Sequence, residues 1–323
     1  MNLPPEASVR VPHEAMQAFV SEAGQSVGLP EEKANLLARL LVENDLRGIF
    51  SHGTRQIARY AIWLRDGKLN PKSNVTVVKE TPVSLLLDGD GGLGYFPAYE
   101  GTLRIVEKAK ETGMAVLVSR NHGHFGAAGI YARLTLGHDL LTLVTQGFKL
   151  DLKPGMPFYE AIGGAPWAFS APAGEDDSVV LDFRAKHDLF ANSPHREAIT
   201  QMAPGIVFRS IGLGAICQAW GGFLAEAPTH TGSGGDPKLM GALVMAFRID
   251  LFSDPDRFKR EMDDYVRQVR ALAPLDGFDE AYLPGGPEAA RERVYRESGI
   301  PVGPEHQTRL EKLGTELGIA VPW

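Results

Sequence analysis

Two short histidine motifs carry the side chains best suited to chemistry in this sequence. The first is Ser-His-Gly at residues 51–53, and the second, at residues 121–129, contains His122 and His124 among three glycines. An imidazole is the side chain most easily tuned to give or take a proton near neutral pH. Glycines beside it let a ligand or another backbone segment come close. The two motifs together predict a site for proton transfer, the alternative being hydrogen-bonded loops on a stable domain.

Each motif lies next to an element that would hold it in place. The apolar run at residues 114–118 predicts a buried strand, so the second motif begins just past a strand end, where ligands bind in open α/β sheets. A helix is predicted after it, over residues 126–136. The first motif follows a segment predicted to be helical over residues 12–48, in which one helix begins after Pro30 and ends at Gly48, and a further helix is predicted over residues 54–66.

Beyond residue 74 the pattern changes from helices alone to strands that alternate with helices. Strands are predicted at residues 75–77, 83–87, 114–118, 140–144, 179–183 and 242–249, and helices at residues 98–112, 210–226, 288–298 and 308–317. A further helix begins at Asp254-Pro255. This alternation predicts an α/β protein with at least some parallel strand pairing.

Composition excludes several classes of function. The chain has 323 residues and a net charge of −7, which argues against nucleic acid or an anionic membrane as the main partner. The charge-free stretch at residues 210–225 is expected to be too short and too polar to span a bilayer, and residues 1–10 lack the apolar core of a signal peptide. The single cysteine, Cys217, is expected in the core. We expect a soluble, cytoplasmic protein.

Two other kinds of site are open on the residues alone. Ser51 beside His52 suggests nucleophilic catalysis, but sequence neighbours rarely face each other and no third partner is evident. His122 and His124 are two residues apart, so on an extended segment they would share a face and, with His52, could form a three-histidine metal site. No acidic or cysteine ligands cluster nearby, so we expect no metal.

The chain resembles the malate/L-lactate dehydrogenase family, an NAD(P)-dependent family without a Rossmann fold. That family includes ureidoglycolate dehydrogenase, sulfolactate dehydrogenase and 2,3-diketogulonate reductase. The matching segments cover nearly the whole chain: residues 45–53 with Tyr60, 87–94, 121–131, 251–258, 283–286 and 296–300.

The resemblance implies a domain organisation and an assembly. A central non-Rossmann domain with a mixed sheet and helices on its faces would span residues 74–284. An α-helical domain would form from residues 1–73 with residues 285–323. The family is usually a homodimer whose active site lies near the partner subunit.

The resemblance also implies roles for the substrate-facing residues. His52 would be the general acid/base, His124 the second active-site histidine near the nicotinamide, and Ser51 and Tyr60 would line the substrate pocket. An arginine would hold the substrate carboxylate with its bidentate donors. Arg55 lies one position before the family's arginine, Gln56 fills the usual place, and Arg59 is a reserve candidate. His122 stands where the family often has a small polar residue, and it too is assigned to substrate binding.

The middle of the chain departs from the family pattern where the cofactor would bind. Thr-Asn is replaced by Thr-Gln at residues 145–146, Gly-Thr-Asn-Pro by Gly-Gly-Ala-Pro at residues 163–166, and Asp-x-Ala-Thr-Ser by Asp-Phe-Arg-Ala-Lys at residues 182–186. These changes remove hydrogen-bond partners for a ribose and a diphosphate, although Arg184 and Lys186 could meet a phosphate. The cofactor would be NAD or NADP, or none. The predicted cofactor contacts are Gly123, Phe125, Gly126, Gln146, Asp182 and Arg184.

These observations favour an oxidoreductase that transfers a hydride between NAD(P) and a small 2-hydroxy, 2-oxo or cyclic imino carboxylic acid. The alternative on the same scaffold is a cofactor-independent lyase, hydratase or isomerase that uses the same histidines as acid and base. A third possibility is a non-catalytic binding protein, against which the retained His52 and His124 speak.

Overall fold

The computed structural model of the chain describes residues 4–230 and 237–323. The chain forms two compact units. The helical unit comprises Met1–Ser73, Glu175–Asp177 and Asp263–Trp323, and the sheet unit comprises Asn74–Gly174 and Ser178–Met262.

Ten α-helices and nine β-strands lie within the described residues. The strands are β1 (Val9–Val11), β2 (Thr76–Thr81), β3 (Ser84–Asp88), β4 (Met114–His122), β5 (Leu140–Gly147), β6 (Pro166–Ala171), β7 (Val179–Arg184), β8 (Met240–Arg248) and β9 (Ile300–Val302). The helices are α1 (His13–Ser26), α2 (Glu31–Leu46), α3 (Ile57–Arg65), α4 (Tyr95–Thr112), α5 (Gly129–Leu134), α6 (Arg196–Met202), α7 (Pro204–Cys217), α8 (Pro255–Arg270), α9 (Gly286–Ser298) and α10 (Pro304–Leu317).

The helical unit contains α1, α2, α3, α9 and α10, with β1 and β9 paired antiparallel. Helix α2 shows the local reasons for this structure. Glu31 and Glu32 lie in its first turn, where acids complement the helix dipole, and Gly48 adopts a left-handed φ of 73° just past its end. Its apolar face is fully buried. The helix predicted from Pro30 to Gly48 is confirmed.

Residues 263–284, assigned to the sheet domain from the sequence, group here with the helical unit. The second half of α8 is bound there by its acidic and basic side chains. The Asp263 carboxylate accepts backbone N–H bonds from Glu175 (3.1 Å) and Asp176 (3.0 Å). Arg267 also pairs with Asp176 at 2.7 Å. These polar contacts leave no signal in local hydrophobic periodicity.

The sheet unit is organised around seven strands in the order β2-β3-β4-β8-β5-β6-β7. Among these described strands, β3 and β4 pair in parallel across α4, and the other neighbours are antiparallel. The predicted mixed α/β architecture is therefore confirmed. Because β8 runs antiparallel to both β4 and β5, the ends of β4 and β5 lie at the same edge of the sheet.

The helix predicted over residues 210–226 begins earlier, at Pro204, and continues past α7 as a π-helical turn, Gln218–Phe223. Within the described residues this helix of 20 residues, Pro204–Phe223, is long and apolar enough to cross a membrane by length and composition alone, because it is longer than the charge-free stretch considered from the sequence. Core helices of soluble proteins can be equally long and apolar. Its most apolar 18-residue window is 33% buried in the single chain. Much of this helix therefore has apolar side chains that the rest of the single chain does not cover.

Candidate active site

The first histidine motif lies on a tight turn between α2 and α3. Two 3₁₀ turns, Phe50–His52 and Thr54–Gln56, fold the chain back against the C-terminal end of α2. The Asn44 side chain donates to the His52 carbonyl at 2.9 Å, and the Asp45 carboxylate accepts from the Thr54 backbone N–H at 2.9 Å. The end of α2 thus fixes the turn on both sides of His52.

Ser51 and His52 are in direct contact, contrary to the expectation that sequence neighbours do not face each other. The Ser51 Oγ lies 2.8 Å from His52 Nδ1 within the 3₁₀ turn Phe50–His52. Both residues are half-buried. The Gln56 amide donates to the Ser51 carbonyl, which further restrains the turn. Ser51 is therefore placed to orient the imidazole.

Arg55 and Arg59 lie in different environments. The Arg55 side chain is half-buried, and its Nε has no hydrogen-bond partner in the described part of the chain. Arg59 is exposed, donates to Gln56 Oε1 at 2.7 Å and rests 4.8 Å from the centroid of the Trp63 ring. Arg55 therefore retains unused donor capacity, whereas Arg59 is engaged with neighbouring side chains. Tyr60 is fully buried with its ring 6.0 Å from that of Trp63, an environment that favours a core role over pocket lining.

The second motif begins where β4 ends, and it contains a fully buried histidine. His122 Nε2 lies 2.8 Å from Ser119 Oγ, and His122 Nδ1 lies 2.8 Å from the Gly123 carbonyl oxygen. Burial lowers the pKa of His122 from 6.5 to about 4. With both ring nitrogens bonded inside the protein, this environment favours a structural role over the substrate contact expected from the sequence. Among residues 4–230 and 237–323 no group of three or more histidine, cysteine or acidic side chains could hold a metal.

The loop that follows β4 is tightly constrained. The Gly123 N–H donates to the Gly92 carbonyl at 2.8 Å, and the His124 carbonyl accepts from the Gly94 N–H at 3.0 Å. Gly126 has a φ of 87°, and a Cβ there would lie 2.5 Å from the Tyr95 hydroxyl. Phe125 is fully buried and stacks on Tyr131. His124 is half-buried, so it is the histidine of this motif whose side chain is partly accessible to solvent.

The other residues assigned to the cofactor lie along the same edge of the sheet. Pairing of Gln146 with Ala242 and of Arg184 with Pro166 aligns the end of β7 with the ends of β4 and β5. Gln146 is 4% exposed, and its Nε2 has no hydrogen-bond partner among the described residues. Asp182 accepts the Gly129 N–H at 2.9 Å, so it binds the first turn of α5. The sheet thus collects residues 123–126, 146 and 184 at one edge.

Sequence reasoning did not single out His306, which lies in the first turn of α10. Its Nε2 is 3.1 Å from Thr54 Oγ1, and that hydroxyl lies 2.5 Å from Asp45. Asp45 was recognised only as part of a matching segment. No local signal points to His306, because 252 positions separate it from Thr54.

Comparison with known proteins gives consistent results. The family model for malate/L-lactate dehydrogenase matches residues 11–185 and 192–311. An L-sulfolactate dehydrogenase of Methanocaldococcus jannaschii is 27% identical, with 91% of this chain and 93% of the relative covered. A ureidoglycolate dehydrogenase (NAD(+)) of Escherichia coli is 24% identical, with 91% of this chain and 93% of that protein covered. The malate dehydrogenase structure from Pyrococcus horikoshii superposes with a TM-score of 0.83 at 22% identity, covering 99% of this chain and 98% of that one, which shows a shared fold.

The buried His122 predicts a loss of stability in acid. Its pKa of about 4 lies below the value of 6.5 expected in the unfolded chain, so the unfolded state takes up a proton first as the pH falls from 6.5 to 4. A difference of that size corresponds to roughly 3 kcal/mol of unfolding free energy. His306, whose pKa is also lowered to about 4, adds to the same slope. The free energy of unfolding, measured with urea between pH 7.5 and pH 4.5, should fall less steeply with decreasing pH in His122→Gln than in the wild type. Exposed His138→Gln is the control, and equal slopes in the two variants would contradict the prediction.

Proposed function

We propose, because the chain belongs to the malate/L-lactate dehydrogenase family, that this oxidoreductase transfers a hydride between NAD(P) and a small 2-hydroxy, 2-oxo or cyclic imino carboxylic acid. One observation carries the assignment of roles. The helical unit holds an imidazole bonded to a serine hydroxyl and, three residues on, a guanidinium whose buried Nε has no partner in the described residues. These are the groups needed to move a proton and to hold a carboxylate.

His52 is the proton-transfer group in this proposal, and Ser51 is its orienting partner. A hydroxyl can donate to or accept from His52 Nδ1, so the contact at 2.8 Å suits both tautomers of the ring. In reduction the doubly protonated ring, with Nδ1–H donating to Ser51 Oγ, gives its Nε2 proton to the oxygen of a 2-oxo group and is left neutral with its proton on Nδ1. When Nδ1 carries the proton, Nε2 can accept the proton of a 2-hydroxy group. One side chain therefore serves both directions of the reaction.

Arg55 binds the substrate carboxylate. Its guanidinium presents donors in a planar fork that matches a carboxylate, and the half-buried environment strengthens such a bond. The orphaned Nε supports this role, since a buried donor without a partner is costly unless a ligand satisfies it.

The edge of the sheet at the ends of β4, β5 and β7 binds the nucleotide. The buried Gln146 amide with its unused Nε2 suits a hydrogen-bond acceptor on the ligand, so these residues fit a nucleotide. When bound, the nicotinamide supplies or accepts the hydride. Gly123 and Gly126 allow close backbone approach, and half-buried His124 contacts the ligand in this proposal.

Basic side chains at the same edge would bind the nucleotide phosphates. The Arg184 guanidinium carbon and the Lys186 Nζ lie 5.9 and 5.7 Å from the centroid of the Phe190 ring, and Lys238 just precedes β8. Burial lowers the pKa of Lys238, and the positive charge of Lys186 lowers it further. Phosphate oxygens would relieve this repulsion.

We also propose that the enzyme is a homodimer whose subunits meet at α7 and its π-helical extension. Phe208 and Phe223 are 65% and 57% exposed, although large apolar side chains are usually covered. A second copy would cover them in a symmetric contact.

Removing the His52 imidazole should abolish most of the turnover. His52→Asn and His52→Ala are expected to lower kcat by ~10²–10⁴-fold, because general acid/base help is lost. Steady-state rates with NADH or NADPH and a panel of 2-oxo acids give the measurement, and His138→Asn is the control. Near-wild-type turnover in both His52 variants would sink the assignment.

Arg55→Lys should weaken substrate binding while it keeps the charge. Loss of the bidentate geometry is expected to raise KM about 10- to 100-fold, since hydrogen bonds to charged groups contribute about 1.5–3 kcal/mol. Arg65→Lys, an exposed residue paired with Asp66 and Glu316, is the control. If Arg55→Lys and Arg59→Lys both leave KM unchanged, the carboxylate is bound elsewhere.

Titration of the pure protein with NAD, NADH, NADP and NADPH tests the cofactor. At about a hundredfold excess over Kd a bound nucleotide stabilises the protein by about 2.7 kcal/mol, which raises Tm. Arg184→Ala and Lys186→Ala should each weaken binding about tenfold, whereas Lys110→Ala, on an exposed face of α4, should not. We expect weaker binding than in a typical family member, because the Thr-Asn and Thr-Ser side chains are missing. No heat and no thermal shift at millimolar nucleotide would favour the cofactor-independent lyase, hydratase or isomerase instead.

Light scattering on a sizing column tests the homodimer. The expected mass is twice the 35.0 kDa of one chain. Phe208→Glu combined with Phe223→Glu should give monomers, because two buried charges per subunit would face the partner without compensation. A wild-type monomer at micromolar concentration would refute the proposal.

A further inference from the structure

A buried chain of hydrogen bonds runs from α10 to the turn that carries His52. Thr54 and Asp45 are 0% exposed and His306 is 7% exposed. Thr54 Oγ1 donates to Asp45 Oδ2 at 2.5 Å and lies 3.1 Å from His306 Nε2. The three side chains thus connect the first turns of α10 with the end of α2, and Thr54 stands between them.

Glycine at position 53 leaves space for these hydrogen-bonded side chains. A Cβ at residue 53 would overlap Asp45 Oδ1. The φ of Gly53 is −88°, which any residue can adopt, so glycine is required here for space. The Asp45 carboxylate therefore lies directly against the backbone between His52 and Thr54.

Burial and neighbouring charges set the protonation of His306 and Asp45, and with it the donor in each of these hydrogen bonds. Burial lowers the pKa of His306 to about 4, and the positive charges of Arg55 and Arg309 lower it further against the opposing charge of Glu305. His306 is therefore neutral at pH 7. Because Thr54 donates to Asp45, His306 Nε2 donates to Thr54. Burial also raises the pKa of Asp45 to about 7, although the two bonds from Thr54 and the charge of Arg55 lower it.

Three buried atoms at this site have no hydrogen bond in the described residues. They are Asn44 Oδ1, Asp45 Oδ1 and Arg55 Nε. A network that served stability alone would be expected to satisfy such atoms, because each one left unpaired costs free energy. Their presence beside the reacting groups is what a site shaped for a ligand would retain.

We propose that Asp45, Thr54 and His306 are positioning residues, which hold the turn so that His52 and Arg55 face the substrate in fixed orientation. The proposal rests on the proposed function, in which His52 moves the proton and Arg55 binds the carboxylate. Thr54 lies between these two residues in sequence. Releasing it therefore displaces both, and a displacement of about 1 Å can cost ~10²-fold in rate.

The test compares Thr54→Val with Thr54→Ser. Valine keeps the shape and the backbone N–H but removes the hydroxyl from both Asp45 and His306, whereas serine restores it. We expect Thr54→Val to lower kcat about 10- to 100-fold and to raise KM for the 2-oxo acid, and Thr54→Ser to recover most of the loss. Thr102→Val is the matched control, because Thr102 is an equally buried threonine that donates to Ala98 within α4. It should lower Tm with little change in kcat.

A second readout does not depend on turnover. Calorimetric binding of oxamate, a non-reacting 2-oxo acid analogue, reports on Arg55 directly. Thr54→Val and His306→Phe should weaken oxamate binding about tenfold, and His306→Gln should largely retain it because the amide can still donate to Thr54. Asp45→Asn keeps an oxygen that accepts from Thr54, so it should lose less activity than Thr54→Val.

The outcomes separate this proposal from the proposed function. If His52→Asn lowers kcat but Thr54→Val and His306→Phe change only Tm, these hydrogen bonds serve stability alone and the positioning proposal is overturned. If His52→Asn leaves kcat unchanged while oxamate binding still falls in Thr54→Val, the acid/base assignment fails and positioning of Arg55 stands.

Discussion

The contact between the Asp45 carboxylate and Thr54 is the interaction on which the helical unit's site depends. A buried carboxylate is costly unless it is hydrogen-bonded, and the turn after α2 supplies two donors from a single residue. This arrangement requires glycine at position 53. It also restrains the turn between His52 and Arg55, because Thr54, which binds Asp45, lies between these two residues in sequence. Asn44 adds a second restraint on His52. The helix end, the turn and the candidate catalytic groups thus form one structural feature.

In the sheet unit the corresponding constraint is strand direction. Strand β8 enters between β4 and β5 and runs antiparallel to both, so two distant strands end at one edge. Strands β6 and β7 extend the same edge through the pairing of Pro166 with Arg184. Part of this edge, at residues 146 and 184, comes from segments in which the chain departs from its family's pattern, so changes in the proposed nucleotide contacts need not alter the core of the sheet.

The two histidines of the second motif illustrate how position along a strand decides a role. His122 is the last residue of β4 and points into the interior, where both ring nitrogens are bonded. His124, two residues further on, lies past the strand and is half-buried. Alternation would have given the two rings one face. Asn121, with a φ of 52°, and the loop at Gly123 interrupt that alternation.

The sequence by itself determined the features that depend on local interactions. Helix α2 with its acidic first turn and terminal Gly48, six of the seven strands of the central sheet and the placement of both histidine motifs at element ends follow from short-range patterns of charge, glycine and apolar residues. Strand β6, in a stretch rich in glycine and proline, was not predicted. Only the tertiary structure decided the contact of His306 with Thr54, the insertion of β8 between β4 and β5, the burial of His122 and the orphaned amide of Gln146. The physical reason is that burial and hydrogen-bond satisfaction depend on which distant segments meet, and no local pattern of residues records that.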